Sequence, residues 1–298
     1  MRDPFGRPVK SMRISVTARC DLRCSYCHKE GMRGSNSEMT AAEIGRIIEI
    51  ASKAGITSVK ITGGEPLARE DILDIVQLAR ARMQEVSITT NGTRLAGLAN
   101  SLKSAGLARV NVSLDTLDRA RYAELTRVDK IDDVIEGIRE AVRAGLLPVK
   151  ANIVALPEAS VEDIVLTMRG AWKLGAVPQV IQPIGEGAIS GTFDAVEKAI
   201  GESASRVVER EMHCRSRYFI PNDGGAEREV ELVRPMHNTR FCANCTRLRV
   251  TSDGHLKPCL MHNEGLVDAI GPIRRGAGDE ELLALFAEAI NNRKPYWI

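Results

Sequence analysis

RISVTARCDLRCSYC, residues 13–27, joins a short strand pattern to three cysteines, Cys20, Cys24 and Cys27, at C-x3-C-x2-C spacing. In a parallel α/β barrel the catalytic groups sit at the carboxyl ends of the strands, so a strand over 13–17 places this loop at such an end. Three thiolates can hold a four-iron cluster by three corners and leave one iron open, whereas a structural site normally closes all its positions with protein ligands. A zinc ion completed by His28 fits poorly, because the adjacent Cys27 and His28 would have to aim at one tetrahedral ion.

Outward from this stretch, further strand patterns occur at 58–62, 86–90, 110–114, 149–154 and 177–181. Helical patterns at 41–54, 72–82, 131–144 and 161–174 alternate with them. Six βα units with short connections predict an α/β fold, a partial (βα)6 TIM-like barrel with a parallel sheet. The organisation changes near residue 210. Segments 213–221 and 229–235 predict a β-hairpin around Asp223, Gly224 and Gly225, then a cysteine-rich loop and an amphipathic helix over 280–291. The expected division is a barrel over 1–210 and a small α+β C-terminal cap over 211–298.

The chain has 298 residues, 44% hydrophobic and only 4% aromatic, with a net charge of +2. That charge, with no basic patch interleaved with aromatic rings, excludes a nucleic-acid binder. No apolar run resembles a signal peptide or is long enough to cross a bilayer, which predicts a soluble, cytoplasmic protein. Seven cysteines in that compartment are reduced thiols, favouring metal ligation over disulfides.

Other polar groups fall at strand ends. Gly63, Gly64, Glu65 and Pro66 follow the second strand, offering bare backbone and a carboxylate to a ligand. Thr89 to Gly92 follow the third strand, and Ser113 to Asp115 the fourth. Each run alone also reads as turn or capping chemistry. Cys242 and Cys245 form a C-x2-C, and Cys259 follows after thirteen residues, a second set of three ligands without an evident fourth. Zinc remains open here, with His255 or His262 as the fourth ligand. Arg247 and Arg249, two apart on a strand, share a face and can clamp phosphate. Cys214 stands apart and reads as a buried structural thiol.

Cys20, Cys24 and Cys27, Tyr26 before the last cysteine, and Gly63 to Pro66 resemble the radical S-adenosylmethionine (SAM) enzymes. The resemblance implies a 4Fe-4S cluster on the three cysteines, SAM on its open iron, and a 5′-deoxyadenosyl radical that removes a hydrogen atom from substrate. Arg13 to Thr17, 61–69, Thr89 to Gly92, Val112 to Asp115, Lys150 with Asn152, and Cys242 to Arg249 together resemble the GTP 3′,8-cyclase family of molybdenum cofactor (molybdopterin) biosynthesis. Tyr26 to Gly31 resembles its archaeal members.

That resemblance implies two 4Fe-4S clusters and conversion of GTP to (8S)-3′,8-cyclo-7,8-dihydroguanosine 5′-triphosphate. It also implies an electron donor such as ferredoxin or flavodoxin, a downstream cyclic pyranopterin monophosphate synthase, and a monomer or homodimer. Tyr26, Gly63, Gly64, Glu65 and Ser113 would hold SAM. Arg13, Lys60, Thr90, Lys150, Arg247 and Arg249 would hold GTP, with Arg247 and Arg249 also in the catalytic set. The sixth strand, Val177 to Gln182, lacks the arginine and methionine common in the family, and the tail Lys294 to Ile298 lacks a double glycine. The alternatives are a radical SAM enzyme with an auxiliary cluster acting on a peptide or tetrapyrrole, and a non-enzymatic iron-sulfur or zinc protein. Converging phosphate ligands argue against the first, and the glycine pair against the second.

Overall fold

The computed structural model describes residues 1–31, 37–185, 191–222 and 224–297. Six parallel strands occur in the expected order: β1 (Ser11–Ser15), β2 (Ser58–Thr62), β3 (Glu85–Thr90), β4 (Arg109–Ser113), β5 (Lys150–Val154) and β6 (Val177–Ile181). β1 begins and ends two residues earlier than the pattern at 13–17, so Val16 and Thr17 already belong to the loop. Helices α1 (Ala41–Lys53), α2 (Ile72–Arg80), α3 (Leu95–Ser104), α4 (Arg119–Thr126), α5 (Ile131–Arg143), α6 (Val161–Lys173) and α7 (Gly191–Ser203) follow in the same chain order.

Local chemistry starts the helices where packing needs them. Thr40 caps α1 through a reciprocal capping box with Glu43, and Ser160 caps α6. α1 turns Ile44, Ile47, Ile48 and Ala51 inward, onto a core that includes Met12, Ile14, Val59 and Ile61 of β1 and β2. α3, α4 and α7 fall outside the helical patterns read from the sequence. α3 carries Gly97, Asn100 and Ser101, poor helix formers, and is held by extensive packing on α5. α4 buries only Tyr122, Leu125 and Thr126 and shows almost no apolar stripe.

The C-terminal part builds onto both sides of this core. β7 (Arg206–Glu209), β8 (Ser216–Pro221) and β9 (Glu227–Val233) form an antiparallel run, and β9 joins β6 in parallel. The β8–β9 hairpin matches the expected one; Asp223 of its turn lies outside the described residues. α8 (Thr239–Ala243) leads to β10 (Arg247–Val250), which joins β1 in parallel, followed by β11 (His255–Lys257) and β12 (Val267–Asp268). α9 (Ile270–Arg274) and α10 (Asp279–Asn291) close the chain, α10 covering the expected 280–291.

The twelve strands make one sheet, ordered β12-β11-β10-β1-β2-β3-β4-β5-β6-β9-β8-β7. The expected boundary near residue 210 falls between β7 and β8, two paired strands. The sheet stays open at β12 and β7, yet Arg247 on β10 and Gln179 on β6 line a single cavity, so it curls into part of a barrel. No helix among the described residues is long and apolar enough to cross a membrane.

Candidate active site

A cavity of about 1110 Å³ lies within the curl of the sheet, above the 300–1,000 Å³ range typical of a single small-molecule pocket. Cys20, Cys24, Cys27, Cys242, Cys245 and Cys259 all line it. So do Arg13, Tyr26, Lys60, Gly63, Gly64, Thr90, Ser113, Lys150, Arg247 and Arg249. Of the residues expected at the site, only Glu65 lies behind the wall.

The loop carrying the first triplet is tied down along its length. The backbone N–H groups of Arg23 and Ser25 donate to the carbonyls of Thr126 and Leu125 at the end of α4, at 3.0 and 2.9 Å. Asp21 accepts from Asn91 Nδ2 at 2.7 Å and Thr93 Oγ1 at 2.8 Å. The Tyr26 hydroxyl donates to the buried Asp115, whose other oxygen accepts from Val154 N at 2.8 Å. Tyr26 thus anchors the cysteine loop to β4 and β5.

The glycine pair serves the same loop. A Cβ on Gly63 would stand 2.6 Å from the Thr17 carbonyl oxygen, and one on Gly64 only 2.2 Å from that of Arg19. Gly64 N donates to Thr17 O at 2.8 Å, and Glu65 N to Arg19 O at 2.7 Å. Only glycine allows this approach of two backbones, so the pair sets the height of the cysteine loop as well as lining the cavity.

Glu65 departs from its expected place. Its carboxylate is fully buried and accepts from Leu67 N at 2.8 Å, Thr90 Oγ1 at 2.7 Å and Asn91 N at 2.6 Å. It therefore links the ends of β2 and β3 and does not offer a free oxygen to a ligand. Burial pushes it up to about 7 despite these donors, and pushes Asp115 up to about 6.

The basic groups come from lateral neighbours in the sheet. Arg249 pairs in register with Arg13, and Arg13 with Lys60, across β10, β1 and β2. Neighbouring strands lie about 4.8 Å apart, so three basic side chains stand side by side. Desolvation, with Arg109, Arg13 and Arg247 nearby, pushes Lys60 well down. Desolvation also pushes Arg247 down, Arg249 and Arg13 adding to it. Like charges gathered in a dry cavity are costly unless an anion offsets them.

Two carboxylates partly supply that charge. Glu30 receives Arg13 at 2.7 Å and Arg249 at 2.8 Å, and this holds its carboxyl down at about 2 in spite of burial. Glu231, on β9, receives Lys150, Arg215 at 2.7 Å and Arg210 at 3.4 Å. Arg247 pairs with no carboxylate among the described residues, and its Nη2 instead lies 3.8 Å from Met212 Sδ.

The second triplet brackets β10 and β11. Cys242 lies in α8, Cys245 precedes β10 and Cys259 follows β11. His255 and His262 are absent from the cavity wall; His255 faces Asp253 at 3.3 Å, and the His262 ring stacks 6.2 Å from Tyr296. Tetrahedral zinc needs thiolates roughly 3.8 Å apart. Among the described residues no three His, Cys, Asp or Glu side chains gather around a single ion at either triplet, so this spacing does not separate zinc from iron at the second. Cys214, the seventh cysteine, is half-buried away from the cavity wall.

Several lining residues, Asn111, Gln179 and His213 among them, have no role in the sequence reading. Lys60 Nζ donates to Asn111 Oδ1 at 2.7 Å, and Asn111 Nδ2 donates to Asn152 at 3.1 Å and Gln179 at 3.4 Å, giving an amide run across β4, β5 and β6. Their signal was available: each is a lone amide between apolar residues in a strand buried on both faces. His213 stacks on Phe241 with ring centroids 4.0 Å apart, and desolvation together with Arg247 and Arg215 pushes it well down, so the imidazole is neutral. Tyr296 and Trp297 of the tail also line the cavity, Trp297 Nε1 donating to Pro235 O at 3.0 Å.

Comparison with known proteins agrees with this geometry. Residues 14–171 match the radical SAM superfamily, and residues 189–298 match the family described as Molybdenum Cofactor Synthesis C. A protein named "Probable GTP 3′,8-cyclase" from Pyrococcus horikoshii is 45% identical over 304 residues, covering 99% of this chain and 97% of that one. Its namesake from Thermococcus kodakarensis is 46% identical, covering 99% of each chain. Among solved structures, SuiB of Streptococcus suis bound to its precursor peptide SuiA superposes with a TM-score of 0.66 at 20% identity, over 88% of this chain and 62% of that one. The structure of anSMEcpe with bound AdoMet gives 0.60 at 15% identity, over 86% and 75%. These two show the shared fold. With a superfamily match over the barrel and near-full-length relatives above 40% identity, the chain belongs to the radical SAM superfamily and, within it, to the GTP 3′,8-cyclase family.

Proposed function

We propose that this protein converts GTP to (8S)-3′,8-cyclo-7,8-dihydroguanosine 5′-triphosphate, the first step of molybdenum cofactor biosynthesis. The observation that carries the reading is the meeting of both cysteine triplets and a row of cations in one cavity. A triphosphate, with about four negative charges, is the anion such a row fits.

As a radical SAM protein the chain uses SAM and a 4Fe-4S cluster. The first triplet fits that cluster: three free thiols on one anchored loop, two of them exposed. When bound, cluster and SAM supply one-electron hydrogen abstraction. Tyr26, Gly63, Gly64 and Ser113 would surround SAM, while Glu65 acts from behind by holding Thr90 and Asn91 in place. Arg13, Lys60, Lys150, Arg247 and Arg249 would receive the triphosphate. Glu30 and Glu231 orient three of these groups, Arg13, Arg249 and Lys150, in advance, which lowers the ordering cost of binding. Cys242, Cys245 and Cys259, three free thiols on the cavity wall from which His255 and His262 are absent, would hold a second 4Fe-4S cluster. An external donor such as ferredoxin or flavodoxin would supply electrons, and the product would pass to a cyclic pyranopterin monophosphate synthase.

The test is anaerobic turnover with SAM, reductant and GTP deuterated at the ribose C3′ position. Deuterium appearing in 5′-deoxyadenosine, together with a cyclised nucleotide, supports the reading. SAM cleavage indifferent to GTP, or deuterium retained in GTP, would overturn it.

A further inference from the structure

Beside the second triplet lies a buried ionic cluster of Asp3, Arg7 and Arg293 that the proposed chemistry does not use, Arg7 and Arg293 reaching the cavity wall and Asp3 standing behind them. Asp3, with a wholly buried carboxylate, receives Arg7 Nε at 2.7 Å and Arg293 Nη1 at 3.0 Å. Its Oδ1 also accepts the backbone N–H groups of Phe5 at 3.0 Å and Arg7 at 2.9 Å, so the carboxylate is fixed on both oxygens. Each guanidinium then reaches past Asp3 to the cysteine turn. Arg7 Nη1 donates to the carbonyl of Cys242 at 2.9 Å, and Arg293 Nη2 to that of Cys245 at 2.5 Å.

The Cys242 carbonyl lies in the last turn of α8, where it also accepts Cys245 N at 3.2 Å and where cations are favoured, and the Cys245 carbonyl lies just beyond the helix. One carboxylate between two guanidiniums leaves a buried net positive charge, and Arg293 Nε has no hydrogen-bond partner. A buried excess cation is destabilising without a nearby anion. Three thiolates on an iron-sulfur cube supply one, because they outweigh the charge of the oxidised cube.

We propose that Asp3, Arg7 and Arg293 are positioning residues for the second triplet, holding the Cys242–Cys245 turn by its carbonyls and raising the reduction potential of the cluster bound there. The proposal rests on the reading of that triplet as a cluster site. Residues at opposite ends of the sequence thus converge on one turn, a contact that no local motif specifies.

The test uses Arg293→Gln and Arg293→Lys in the full-length protein, with and without reconstituted iron. In Arg293→Gln, amide hydrogen exchange over residues 239–247 should quicken roughly tenfold, the factor expected for one hydrogen bond to a charged group, while residues 18–27 stay at the wild-type rate. The midpoint potential of the second cluster, titrated by EPR in a background lacking the first triplet, should shift negative in Arg293→Gln and return toward wild type in Arg293→Lys. Wild-type exchange and potential in Arg293→Gln would overturn the proposal, as would equal loosening of residues 18–27 or no recovery in Arg293→Lys. Should the wild-type protein bind only about four irons, the second cluster fails and the potential claim with it. The exchange arm, read without iron, still decides the positioning role.

Discussion

The two cysteine triplets share a ligand type and a cavity, yet sit in opposite electrostatic surroundings. Around the first stand Asp21, Glu65 and Asp115. Burial pushes the Cys24 thiol up to about 12, and Asp115 and the neighbouring cysteines add to it; Cys20 is raised in the same way. Around the second stand arginines. Burial alone would raise Cys245, but Arg293, a backbone donor at Arg247, and the Arg247 and Arg249 charges bring it below the ordinary thiol range. Cys20 and Cys24 are therefore held toward the thiol, whereas in the second triplet the arginines draw Cys245 toward the thiolate while burial still raises Cys259. This division matches the proposed roles, with the acidic end for SAM and the cationic end for triphosphate.

The largest expected break in that contrast comes from Arg247→Ala combined with Arg249→Ala. Each charge-assisted phosphate contact contributes about 1.5–3 kcal/mol, so the KM for GTP should rise at least roughly a hundredfold. SAM affinity, measured by equilibrium dialysis, should stay within about twofold. An equal loss of SAM binding would mean that the two ends do not act separately.

Glu65→Gln probes the acidic end. The amide cannot accept all three donors that Glu65 satisfies, and leaving one unpaired costs about 1–3 kcal/mol, read as a lower urea midpoint. The pH dependence follows from the same group. Glu65 and Asp115 titrate higher in the folded chain, at about 7 and about 6, than the ordinary carboxylate range of about 4, so the folded state holds the extra protons between these values. Stability should fall as pH rises from about 5 to 7, and Glu65→Gln should flatten that slope. A wild-type stability rising across this window would contradict the assignment.

The smallest effect belongs to Cys214→Ser. This residue is half-buried and off the cavity wall. Iron content and turnover should match wild type, and a loss of iron would place a seventh cysteine among the ligands.

The frame of six strands, both triplets and the Arg247–Arg249 pair was legible because each rests on local spacing, whereas Arg13, Lys60 and Lys150 followed only from the family resemblance. Arg247 and Arg249 alternate on one strand, and the cysteines fall at strand and helix ends. The partners of those residues were not legible, because they depend on sheet register and chain return. Glu30 follows the first triplet closely, but nothing local says that its carboxylate folds between Arg13 and Arg249, which become neighbours only when β10 joins β1. Glu231 meets Lys150 because β9 returns beside β6. Glu65 misled for a related reason: a polar residue at a strand end can face the ligand or the backbone behind it, and only the positions of Thr90 and Asn91 decide.

The central claim, that the two triplets hold separate clusters with separate tasks, is tested most directly by emptying each in turn and counting iron and products under anaerobic reconstitution. The account predicts about four irons in Cys20→Ala/Cys24→Ala/Cys27→Ala and in Cys242→Ala/Cys245→Ala/Cys259→Ala, half the wild-type content, with no cyclised nucleotide from either. Only the second variant should still cleave SAM. Full iron and cyclised product after loss of the second triplet would contradict it.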